Sequence, residues 1–101
     1  LKTLLGDENM YTDKDEWDFE YTYNCTLTAT HLWLRQWADL AVVAPVTCNH
    51  LAKIAHGIGD TLPSMITNAW DWTRKPLILC PAMNNIMYQH PACQQNLKTL
   101  K

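Results

Sequence analysis

Two short stretches carry residues whose types and order suit ligand chemistry: "APVTCNH" over 44–50 and "CPAMNNIMY" over 80–88. Each has a proline, small neighbours and then an asparagine. Small residues let a ligand approach the backbone. An asparagine amide offers one acceptor and two donors, enough to read an imide edge or to hold a carboxylate. Backbone N–H groups at a helix start after Thr47 favour an anion or a polarised carbonyl. Taken singly, Thr47 and Asn49 are also ordinary helix caps, and Asn84 an ordinary turn residue. The pairing of two similar stretches is more informative than either alone. His31 adds an imidazole, a group that exchanges protons near neutral pH or steadies a carboxylate. A single histidine at a helix start is, by itself, most often a plain surface residue.

The elements around these residues read as alternating helix and strand. "LAVVAPV" (40–46) and "TRKPLILCP" (73–81) contain unbroken apolar runs, each ended by a proline, which is how strands buried on both faces of a parallel sheet look. Thr30 can cap a short helix over 30–38, with His31, Leu34, Arg35 and Ala38 on one face and Leu32, Trp33 and Trp37 largely on another. Thr47 or Asn49 can cap a second helix, which Gly57 and Gly59 end; Leu51, Ile54, Ala55 and Ile58 share its apolar face. Pro63 suits the first turn of a third helix, with Met65, Ile66, Ala69 and Trp70 as its apolar side. A final helical stretch follows Asn84 and is interrupted or restarted at Pro91. The two strands lie about thirty residues apart, which demands a crossover and so parallel pairing. The fold class is α/β, doubly wound, with further strands needed to complete the sheet. Ligands of open parallel sheets bind beyond the carboxyl ends of the strands, where both asparagine stretches fall.

The chain has 101 residues and a formal net charge of −2. That size allows one small domain, and the charge gives no footing for nucleic acid. Residues 1–20 hold seven acids against Lys2 and Lys14, whereas the rest hold three acids against six bases. Residues 1–29 therefore read as an acidic, solvated lead-in, a loop with at most a short strand or helical turn, ahead of a near-neutral unit over 30–101. Cys25, Cys48, Cys80 and Cys93 form no C-x-x-C pair, so neither zinc nor any other metal site is expected. Asn24-Cys25-Thr26 matches a glycosylation sequon, but no secretory signal or membrane span accompanies it, and the expected location is cytoplasmic.

"LRQWADLAVVAPVTCNHLAKIAHGIGD" followed by "AWDWTRKPLILCPAMNNIMY" resembles the flavin-dependent cysteine decarboxylases, the group that includes the phosphopantothenoylcysteine decarboxylases and the halotolerance-type flavoproteins. The likeness runs from Tyr11 to Leu97. Its most specific part is Pro81-Ala82-Met83-Asn84, then Met87-Tyr88 two residues on. The resemblance implies a flavodoxin-like, Rossmann-type sheet, incomplete in this chain, that binds FMN and assembles as a homotrimer or a heterotrimer of related subunits, with the site between them. It implies conversion of 4′-phosphopantothenoylcysteine to 4′-phosphopantetheine in coenzyme A biosynthesis. The flavin carries the redox step and the protein positions it. Residue by residue, it makes His31 and Asn84 catalytic, with Asn84 on the substrate carboxylate and Met83 and Met87 packed beside it. It places Thr47, Cys48, Asn49, His50 and Ala82 against FMN. His50 stands where the family usually has a small threonine, and Tyr88 where it usually has tryptophan. The family's Gly-Ser phosphate turn and its cysteine-bearing flap would precede Leu1 and follow Lys101, so a central part of a longer domain is expected. The alternatives are a non-catalytic halotolerance-type regulatory subunit, an inactive fragment, or a peptidyl-cysteine substrate.

Overall fold

The computed structural model describes residues 2–17 and 29–101. The Asn24-Cys25-Thr26 sequon lies outside them. In chain order the elements are α1 (Lys2–Leu5), a 3-10 turn (Asp7–Asn9), α2 (Asp13–Trp17), α3 (Thr30–Trp37), β1 (Ala41–Val46), α4 (Cys48–His56), α5 (Leu62–Asn68), β2 (Leu77–Pro81), α6 (Asn85–Gln89) and α7 (Pro91–Leu100).

Local chemistry sets most of these boundaries. Thr47, not Asn49, caps α4: its hydroxyl accepts the His50 N–H at 3.1 Å. Gly57 ends α4 in the left-handed region at φ 70°, which costs glycine no Cβ clash. Ile58 therefore falls beyond the helix and stays half exposed instead of joining its apolar face. Thr61 and Ser64 form a reciprocal capping box at the start of α5, with Pro63 in its first turn. α7 restarts at Pro91. The expected cap at α3 differs. Ala29 occupies the cap position with no side-chain bond, and the Thr30 hydroxyl instead donates to the Asp15 carbonyl at 3.1 Å.

The two strands pair in parallel, with Ala41 opposite Leu77, Val42 opposite Ile78, Val43 opposite Leu79 and Val46 opposite Pro81. Pro45 does not end β1, as its position suggested. The strand runs on to Val46 through a cis Ala44–Pro45 peptide and a shift of register. Val46, Leu51 and Cys93 form the buried centre, flanked by Val43, Ile54, Leu79, Met83 and Leu97. α4 and α7 thus cover one face of the sheet. The other face is not buried as the apolar runs implied: Val42 is 53% exposed and Ile78 48%. Side chains alternate across a strand, and only the face carrying Val43 and Leu79 meets that buried centre.

The lead-in also differs from a solvated loop. α2 packs on α3 and α5. Asp13 accepts the Leu62 N–H at 2.6 Å, and the Glu16 carboxylate is buried against His31. Two acids on one short helix hold the starts of two others, where the helix dipole favours negative charge.

Candidate active site at the strand ends

The carboxyl ends of β1 and β2 are joined. The Ala82 N–H donates to the Val46 carbonyl at 3.1 Å, extending the ladder past the last strand residue. Val46 and Pro81 are register partners, and Asn49 and Asn84 each lie three residues further on. Both asparagines and Ala82 are exposed. The two stretches singled out from the sequence therefore emerge at one edge of the sheet.

Asn84 caps α6, its Oδ1 accepting the Met87 N–H at 2.9 Å. The cap orients the amide. Because Oδ1 faces the helix, Nδ2 and its two donors face away, and among the described residues no protein group accepts from them. A planar donor pair at a strand exit suits a carboxylate.

The other residues divide. Thr47 is used as a cap, so α4 presents the N–H groups of its first turn at the exit. Cys48 turns its side chain into the buried cluster beside Val46 and Leu51, leaving its backbone for a ligand. Burial, followed by the neighbouring Cys48 thiol, pushes the Cys93 thiol up from its ordinary value. Met83 packs on the same cluster, with the Cys93 thiol 3.5 Å from its sulfur. Met87 is exposed. His50 leans toward α5, its Nε2 3.5 Å from the Thr67 hydroxyl; burial, then the nearby Lys53, lowers its pKa and favours the neutral ring. Asp60 pairs with Lys53 at 2.8 Å. That lysine holds its carboxylate below the usual value, and Oδ1 also accepts from the Ser64 hydroxyl at 3.3 Å at the start of α5.

His31 stands on a separate element. It belongs to the first turn of α3, and among the described residues no hydrogen bond joins it to Asn84. Its Nδ1 pairs with the Glu16 carboxylate. The far end of α3 is fixed by Lys75, whose ammonium donates to the carbonyls of Arg35, Gln36 and Ala38 at 3.1, 3.1 and 2.7 Å. It also lies 5.7 Å from the Trp70 ring centroid. A cation there meets the negative helix end. Lys75→Met is expected to lower unfolding free energy by about 1.5–3 kcal/mol, the scale of hydrogen bonds to a charged group. Urea denaturation followed by tryptophan fluorescence checks this, and an unchanged midpoint would contradict it.

Glu16 and Lys75 carry no sequence signal as site residues: one sits in an acidic run, the other before a strand. A groove of about 560 Å³, lined by Ile54, Trp70, Trp72, Leu77, Leu79 and Leu100 among others, offers a competing cavity. It includes the first residue of β2, away from the exits, and Thr67, Asn68, Thr99 and Lys101 make its lining nearly as polar as apolar.

A family model described as Flavoprotein matches residues 2–101. The chain belongs to this family. It is 45% identical over 92 residues to phosphopantothenoylcysteine decarboxylase of Mus musculus, covering 91% of this chain and 44% of that protein. It is 43% identical over 98 residues to the enzyme of the same name from Arabidopsis thaliana, covering 97% and 46%. Among solved structures it is similar to a cysteine-to-serine mutant of PPC decarboxylase complexed with pantothenoylaminoethenethiol. There the TM-score is 0.79 at 44% identity, covering 89% of this chain and 48% of that one. It is likewise similar to the FMN-binding protein AtHal3, with TM-score 0.78 at 43% identity over 89% and 47%. The chain spans just under half the length of these relatives. The fold is flavodoxin-like, with an incomplete parallel sheet that has two strands among the described residues. Among the described residues, no helix is long and apolar enough to cross a membrane.

Proposed function

We propose that this chain supplies the strand-exit part of an FMN-dependent phosphopantothenoylcysteine decarboxylase, yielding 4′-phosphopantetheine for coenzyme A synthesis. The observation that carries the reading is the joined strand exit with the Asn84 Nδ2 donors, unpaired among the described residues, beside it. The relatives' names give the substrate class.

The residues fit FMN. Ala82 is exposed and presents only a methyl group, so a flat ring meets no side-chain obstacle there. The first turn of α4 offers backbone donors, and Thr47, Asn49 and His50 bring polar groups around it. FMN, when bound, supplies a reversible two-electron acceptor. Within this assignment Asn84 Nδ2 donates to the substrate carboxylate and fixes the C–CO2 bond to be broken. Met87 packs beside it with an adaptable thioether, and Met83 backs it from the cluster of Val46, Leu51 and Cys93. His31 exchanges a proton with the substrate. The assembly in this reading is a homotrimer, or a heterotrimer of related subunits, with His31 and Asn84 contributed from different copies to one site. Cys48, Cys80 and Cys93 are free thiols, which suits a reducing cytoplasm.

The test is direct. Protein loaded with FMN and given phosphopantothenoylcysteine is expected to release CO2 and form phosphopantetheine, read by mass spectrometry. Flavin bound without turnover would favour a non-catalytic, halotolerance-type flavoprotein instead. Ala82→Phe is expected to weaken FMN binding while the Ala82 N–H bond persists. Overfilling a packed contact costs about 1–3 kcal/mol, roughly 5- to 150-fold in Kd. Flavin fluorescence titration measures it, and unchanged affinity would move the flavin elsewhere.

A further inference from the structure

We infer that Glu16 is the positioning residue for His31, holding its ring with the hydrogen on Nδ1 and the lone pair on Nε2. The catalytic consequence rests on the proposed decarboxylase reading; the tautomer does not.

Glu16 is 7% exposed. Its Oε2 accepts the His31 backbone N–H at 2.9 Å, and its Oε1 pairs with His31 Nδ1. One carboxylate thus grips the backbone and the ring of the same residue. An ionised carboxylate only accepts, so Nδ1 is the donor and, in the neutral ring, Nε2 carries the lone pair. A hydrogen bond at one imidazole nitrogen sets the role of the other.

The grip has a structural reason to exist. Ala29 gives α3 no side-chain cap, and the first N–H groups of a helix need acceptors. Glu16 supplies one from another element. Capping requires only one oxygen, however; the ring contact is additional. Glu16 is also kept from swinging out. The Asp15 carbonyl accepts from the Thr30 hydroxyl at 3.1 Å, and Asp13 accepts the Leu62 N–H at 2.6 Å. α2 is therefore tied to α3 and α5 through the residues just ahead of Glu16. The His31 side chain keeps 13% of its surface open, a narrow access for a proton-exchanging nitrogen.

The test is ¹⁵N NMR of the protein labelled in its histidine rings, recorded at a pH where the His31 ring is neutral. The wild-type spectrum is expected to show Nδ1 protonated and Nε2 bare. Nε2–H in the wild type would overturn the assignment without any variant. In Glu16→Gln the amide sets a donor against one of the two His31 donors. The His31 signals are then expected to move toward the other tautomer. Turnover is expected to fall about 10- to 100-fold, the scale seen when the partner that orients a metal-bound imidazole is lost, with FMN affinity unchanged. Unaltered ring signals in Glu16→Gln would reduce Glu16 to a cap and refute the inference. If the spectra behave as expected while His31→Ala retains full turnover, the decarboxylase role of His31 fails and the positioning by Glu16 stands.

Discussion

In the proposed decarboxylase, Asn84→Asp is expected to keep the α6 cap and to lower turnover by about 100-fold or more. Aspartate caps a helix as well as asparagine does, and a carboxylate at a helix start is favoured by the dipole. The Met87 N–H, held by Oδ1 at 2.9 Å, keeps an acceptor. What changes is the outward side of the group. Two donors become an oxygen that only accepts. Opposite a substrate carboxylate, the lost hydrogen bond to a charged group costs about 1.5–3 kcal/mol, and like-charge repulsion adds to it. Each 1.4 kcal/mol is about tenfold. Asn84→Ala separates the two roles, because it removes the cap too, for about 1 kcal/mol of stability. Steady-state turnover beside thermal melting reads both effects. An Asn84→Asp protein with full turnover would remove Asn84 from the substrate carboxylate.

His31→Ala carries the other large effect. Removing a proton-exchanging side chain costs about 100- to 10,000-fold in rate, so turnover is expected to fall by that factor with FMN still bound. The substitution also strips the buried Glu16 carboxylate of its ring partner. A stability loss of about 1–3 kcal/mol accompanies it. Rates are therefore to be compared per folded, flavin-loaded protein. Retained turnover in that comparison would show that His31 is a structural residue paired with Glu16 and nothing more.

Much of this arrangement is legible along the chain, because its signals are local. Thr47, Gly57, Pro63 and Pro91 act within a turn of where they stand, and each marks a helix boundary in the structure. The two apolar runs separated by a crossover leave parallel pairing as the economical outcome, and the exits follow from it. Burial of the runs is less legible. Val42 and Ile78 read as interior by type, yet their exposure depends on which neighbours reach their face. Thr30 looked like the cap of α3, but the position falls one residue earlier, on Ala29. The Glu16–His31 pair spans 15 residues and the Asp13–Leu62 bond 49. No window of helical or strand period contains such a pair, so charged residues read as solvated became the joints that place α3 and α5.

In the proposed reading, the paired exits of β1 and β2 receive the flavin. Titration of FMN into ¹⁵N-labelled protein, followed by backbone amide shifts, tests it most directly. Shifts concentrated at 47–50 and 82–84, saturating with the flavin signal, are the expected result. No binding, or shifts centred on the groove around Trp70, Leu77 and Leu100, would contradict it.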